Sequence, residues 1–116
     1  MRRTLVTRGW LFVVAIISSA GIATAQDAAQ VKKGEEVYTA QKCSVCHSIA
    51  GKGSKVSPLD GVGAKLSAEE IHAWIVTPTE AAARAKSTKK PPMPAKYGKL
   101  PQADLAALVA YMQSLK

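Results

Sequence analysis

One five-residue stretch constrains this chain more than any other: Cys43-Ser44-Val45-Cys46-His47, which holds both cysteines and one of the two histidines. Two thiols three positions apart, followed at once by an imidazole, admit four readings. A redox dithiol of the thioredoxin type expects a βαβ surround, and no convincing strand flanks the motif. A zinc site would recruit Cys43, Cys46, His47 and His72, but adjacent Cys46 and His47 strain a tetrahedron. A disulfide between Cys43 and Cys46 would close so small a loop that chain entropy gives little. The fourth reading is covalent attachment of a c-type haem. Two thiols at this spacing reach the two vinyl groups of one porphyrin and add across them as thioethers. His47 is then carried beneath the iron, where its Nε2 can ligate. This fourth reading is the favoured one.

The rest of the chain fits a domain that needs such a staple. It has 116 residues, 47% apolar and 21% charged, with 16 basic and 8 acidic side chains for a formal charge of +8. That is one small domain with enough apolar surface to fold. It is not a multi-domain enzyme, a collagen-like fibre or a polytopic membrane protein. No apolar run reaches the roughly 20 residues of a bilayer span.

The first 25 residues read as a secretory signal peptide. Arg2, Arg3 and Arg8 make a basic start, an apolar stretch covers 10–17, and small residues lead to Ala23-Thr24-Ala25. Cleavage after Ala25 leaves a domain over 26–116; the competing reading is an uncleaved N-terminal anchor. The mature chain of 91 residues keeps four aromatics, Trp74, Tyr38, Tyr97 and Tyr111. So thin a core commonly leans on a metal, a disulfide or a bound cofactor.

Within the mature chain the spacing predicts helices joined by long loops. Residues 27–41 place Val31, Gly34, Val37 and Tyr38 on one face. A glycine on that face points to a close neighbour. Residues 49–63 read as a loop, from four glycines and Pro58. Ser67-Ala68-Glu69-Glu70 is a capping box that opens a second helix, with Leu66, Ile71, Trp74 and Ile75 on its buried face. Pro78 ends it. A short helix is expected over 79–86 and an extended, proline-stiffened loop over 89–94. The last helix is expected over 101–115, with Pro101 in its first turn and Leu105, Leu108, Val109, Met112 and Leu115 as its apolar stripe. The fold class is all-α.

If His47 holds one axial position of the iron, the other is open to Met93, Met112, His72 or no protein group. Met93 stands in Lys90-Pro91-Pro92-Met93-Pro94, a stiff segment that reduces the entropy lost when a weak thioether binds. Met112 lies on an apolar stripe, where methionine commonly fills gaps. His72 lies one position off the apolar face. Met93 is therefore the expected ligand, and a Met/His pair raises the reduction potential.

With these residues in view, the sequence resembles the small soluble class I cytochromes c of bacteria, with one haem, from about residue 31 to 115. The attachment motif, the Pro58 loop, the Met93 loop and the terminal helices occur in the family's order. The resemblance implies the cytochrome c fold: three main helices, short helices and long loops wrapped around one covalently bound haem c. It implies Cys43 and Cys46 as thioether links, His47 as proximal iron ligand and Met93 as distal ligand. It also implies a Pro58 carbonyl that accepts the Nδ1–H of His47, fixing that ring. Trp74 resembles an aromatic that packs beside the haem. Gly34 and Tyr38 resemble the first-helix pair that crosses the last helix near Leu108 and Tyr111. The family's proline loop reads P-x-L-x-G, and Pro58-Leu59-Asp60-Gly61 is one residue short of it.

The implied function is periplasmic one-electron transport without substrate chemistry, so the protein is not expected to be an enzyme. The alternative is a dedicated electron-accepting subunit of a periplasmic oxidoreductase. Lys86, Lys89, Lys90, Lys96 and Lys99 cluster around Met93 and would steer redox partners with acidic docking surfaces. The expected state is a monomer, with no nucleic-acid partner and no membrane insertion after signal cleavage.

Overall fold

The computed structural model describes residues 20–116, and their side chains from Asp27 onward. The greater part of the expected signal segment, 1–19, lies outside the described residues. Helix α1 is described over Ala20–Ala40, so it reaches at least seven residues before the expected start. The added turns run through alanine-rich sequence, which carries high helix propensity. Four further helices follow: α2 (Val62–Lys65), α3 (Ala68–Val76), α4 (Pro78–Arg84) and α5 (Gln102–Ser114). Short 3-10 turns cover Cys43–Val45 and Ala95–Lys99.

The crossing of α1 and α5 is the centre of the fold. A Cβ on Gly34 would collide with the carbonyl oxygen of Ala107 and would sit 2.6 Å from Tyr111 Cβ. Only a bare Cα lets the two backbones approach this closely, which explains a glycine inside a helix where it costs about 1 kcal/mol relative to alanine. One turn on, the Tyr38 and Tyr111 rings meet edge to face, with centroids 5.8 Å apart. Val37, Tyr38, Ile71, Ile75, Leu105, Leu108 and Met112 form one buried cluster. The cluster thus draws on α1, α3 and α5.

Both boundaries of α3 follow the sequence. Glu70 N–H donates to Ser67 Oγ at 3.2 Å, and Ser67 N–H donates to Glu70 Oε2 at 2.7 Å. Pro78 closes α3 and opens α4 as its first residue. Two expectations shift. Pro101 precedes α5 with extended geometry, at φ −52 and ψ 144, and does not enter its first turn. Trp74 is only partly buried, while Ile71 and Ile75 are buried.

The mainly helical architecture agrees with the all-α reading, and a small sheet that the sequence did not show is added to it. Strand β1 (His47–Ile49) pairs antiparallel with β2 (Lys52–Gly53) and parallel with β3 (Ser57–Pro58). Strands of two or three residues are too short to show alternation in sequence. The β1–β2 turn places Ala50 and Gly51 at φ 51 and 77. Two successive positive φ values are the hairpin geometry that matches strand twist. Asp60 Oδ1 accepts the Ala50 N–H at 2.7 Å and holds that turn.

Candidate functional site

The chain leaves α1 through Lys42, at φ 57, whose N–H donates to the Thr39 carbonyl. This left-handed exit turns the backbone directly into the Cys43–Val45 turn. Within it, Val45 N–H donates to Lys42 O and Cys46 N–H to Cys43 O, both at 3.1 Å. Cys43 is partly buried and Cys46 exposed, with no disulfide between them. Burial pushes the Cys43 thiol above its ordinary pKa, and the neighbouring Cys46 adds to the shift. The loop after β1 folds back over the motif. Ser54 N–H donates to Ser44 O at 3.0 Å. Gly53 sits at φ 106, and a Cβ there would collide with the His47 carbonyl oxygen. Only glycine suits that place.

His47 is oriented by one bond, and its partner corrects the expectation. Its Nδ1 lies 2.9 Å from the carbonyl oxygen of Ser57, not that of Pro58. Parallel pairing of β1 with β3 sets His47 opposite Ser57 and Ser48 opposite Pro58, so the Pro58 carbonyl is one register step away. Pro58 itself is exposed. Counted from Ser57, the loop reads Ser-Pro-Leu-Asp-Gly, with leucine third and glycine fifth. The loop is therefore of full family length, with serine in the first place, and Leu59 packs against the buried cluster. With Nδ1 donating to Ser57, Nε2 of His47 is left as the lone-pair nitrogen.

The other sulfur and nitrogen candidates separate cleanly. Met93 is partly buried and packs against the cluster from its loop. Met112 is 5% exposed inside the cluster. His72 is exposed, on a groove shared with Ala68 and Val109.

Partly exposed apolar side chains of the two loops offer surface that an apolar group could cover. Cys43, Ile49 and Leu59 from one loop and Met93, Tyr97 and Leu100 from the other all touch the buried cluster yet stay partly exposed. This is apolar surface that the chain alone leaves half covered. The Tyr38 hydroxyl is buried with no hydrogen-bond partner. Burial first, with neighbouring negative charge such as that of Asp60 adding to it, pushes it up to about 12. The donor set agrees: two thiols, one oriented imidazole and one thioether suit a covalently held haem. Among the described residues no group of three or more His, Cys, Asp or Glu side chains is placed to hold a bare metal ion.

A family model for cytochrome c matches residues 31–116. The chain belongs to the cytochrome c family. As a cytochrome c it carries covalently bound c-type haem and serves haem-based electron transfer, and its mainly helical architecture is the cytochrome c fold. The match starts at Val31, within α1, and includes every residue of the site described above. Comparisons with curated proteins and with solved structures returned no match. Among the described residues no helix is long and apolar enough to cross a membrane.

Sequence reasoning missed three contributors. Ser57 acts through its backbone, which no side-chain pattern reveals; the leucine and glycine of the loop motif, counted backwards, would have found it. Asp60 was visible only as a loop residue. Gly53 was one of several loop glycines, and nothing local marked it as the one lying against His47.

Proposed function

We propose that this cytochrome c is a periplasmic one-electron carrier with His47 and Met93 as its axial ligands. In this reading, residues 1–25 direct export and are removed, and 26–116 form the working domain. Cys43 and Cys46 hold the haem as thioethers. When bound, haem supplies an iron centre that changes oxidation state by one electron with the same ligands in both states.

The chain's own residues do the remaining work. The Ser57 carbonyl holds the His47 ring in one orientation and raises its basicity. This bond is the observation that carries the proposal, because it leaves Nε2 free and fixes its direction. The proline-stiffened loop delivers Met93 at little entropic cost. Burial of Met112 within the cluster and exposure of His72 favour Met93 over both. Trp74, Leu59 and Tyr97 supply apolar cover that excludes water. If His47 and Met93 both hold the iron, they would leave no open place for oxygen or peroxide, so in this reading the protein passes electrons and does no substrate chemistry.

Lys86, Lys89, Lys90, Lys96 and Lys99 are all exposed and flank Met93 in the chain, a basic stretch proposed to meet partners. Such a surface accelerates encounter with an acidic redox partner and works through on-rate more than affinity.

The absorption spectrum of the oxidised mature protein tests the ligand set. A weak long-wavelength sulfur-to-iron band is expected in the wild type. Met93→Ala should abolish it, and Met112→Ala should keep it while lowering stability. Loss of the band in Met112→Ala alone would overturn the assignment.

A further inference from the structure

Sequence groups Lys89 with four other lysines as one basic surface. The structure sets it apart. Its Nζ donates to the carbonyl oxygen of Val56 at 2.9 Å, across a separation of 33 residues. Lys96, by contrast, lies over the Tyr97 ring, 5.2 Å from its centroid. Lys90, next to Lys89, makes no such bond among the described residues.

The two ends of this bond are unusually placed. Val56 directly precedes Ser57, whose carbonyl orients His47. Lys89 stands four residues before Met93, and Pro91 and Pro92 in between make that connection stiff. The segment is also pinned upstream. Lys86, at φ 51, ends α4 with its N–H on Ala83 O, and Ser87 N–H reaches Ala82 O at 2.9 Å. This is the paired C-terminal capping geometry of a helix that stops at a left-handed residue. The backbone N–H of Lys89 then donates to Ser87 Oγ at 3.4 Å.

We infer that Lys89 is a positioning residue: its bond to Val56 clamps the loop that carries Met93 to the strand that orients His47, and so fixes the spacing of the two ligand loops. The inference rests on the proposed His47 and Met93 ligation. A bond between an ammonium and a backbone carbonyl at the surface contributes at the low end of the net hydrogen-bond range. Its loss should therefore loosen both loops modestly without unfolding the protein. In this role Lys89 differs from its neighbours, whose charge alone matters.

Four oxidised holoproteins test this at equal ionic strength: wild type, Lys89→Met, Lys89→Arg and Lys90→Met. Imidazole is titrated in, and the fading sulfur-to-iron band reports displacement of Met93. Exchange of the Leu59 amide, bonded to Ser48 O at 2.8 Å, reports the other loop by NMR. Lys89→Met should bind imidazole about threefold more tightly and exchange Leu59 about threefold faster, the factor expected for one modest bond. Lys89→Arg should restore most of both, and Lys90→Met should match wild type. Equal effects in Lys89→Met and Lys90→Met would overturn the clamp, because charge alone would then suffice. So would no effect in Lys89→Met, or an effect on one loop only. A wild type without the sulfur-to-iron band would instead defeat the ligand assignment, and Leu59 exchange would still decide whether the clamp exists.

Discussion

The buried side chains of α1, α3 and α5 include a single titratable group, Tyr38. The loops over 41–60 and 84–100, in contrast, carry nine basic side chains against Asp60 alone. The helical half is held by apolar burial and by a backbone crossing that only Gly34 permits. The loop half owns every residue proposed to touch the haem except Trp74, and it buries little of its own. Its order comes from the short sheet and from isolated bonds such as Ser57 to His47, Asp60 to Ala50 and Lys89 to Val56. Stability and proposed ligation thus draw on different residues, although the ligand loops pack against the helical cluster. A change in the helices should move the unfolding free energy, and a change in the loops should move the iron site and partner encounter.

The largest test of that division is Leu105→Ala. Leu105 is 2% exposed and the most enclosed large side chain of the cluster. Its truncation should cost about 2–5 kcal/mol in denaturant unfolding. A cost below about 1 kcal/mol would mean that the helical half does not set stability.

Next comes Gly34→Ala. The added methyl meets a backbone carbonyl, which cannot rotate away as a side chain would. Overpacking of this kind costs about 1–3 kcal/mol, although alanine is the better helix former. Circular dichroism melts of holoprotein should show a lower midpoint. A raised midpoint would show that the α1–α5 crossing has slack.

The smallest effect concerns pH and the one titratable group inside the cluster. Tyr38 loses its proton near 10.0 in the unfolded chain and only near about 12 in the fold. Between these values the unfolded chain binds fewer protons than the native one, so stability falls as pH rises through that window. The contribution is fully present below pH 10. Tyr38→Phe should flatten the fall while leaving neutral-pH stability nearly unchanged, because the hydroxyl it removes has no partner. Denaturant midpoints at pH 9 and pH 11 give the comparison. An equally steep fall in the variant would place the alkaline sensitivity in the loops.

Much of the helical half was legible in advance because its signals are local or periodic. The capping box at Ser67, the stop at Pro78 and the stripe through Leu105, Leu108 and Met112 need only neighbours within a few turns. The reach of α1 back to Ala20 was missed because an export signal and a helix draw on the same alanine-rich composition. The small sheet was missed because its strands are too short for a period to register.

Sequence alone carried the attachment proposal, since Cys43, Cys46 and His47 fall within five residues and their spacing is the whole message. It also determined the stiff setting of Met93. Tertiary structure decided what turns on non-local pairing: that Ser57 and not Pro58 faces His47, that Gly34 meets Ala107, and that Lys89 reaches Val56. The physical reason is that strand register and helix crossing select backbone partners tens of residues apart. A carbonyl oxygen looks the same at every position of a sequence until the fold gives one of them a donor.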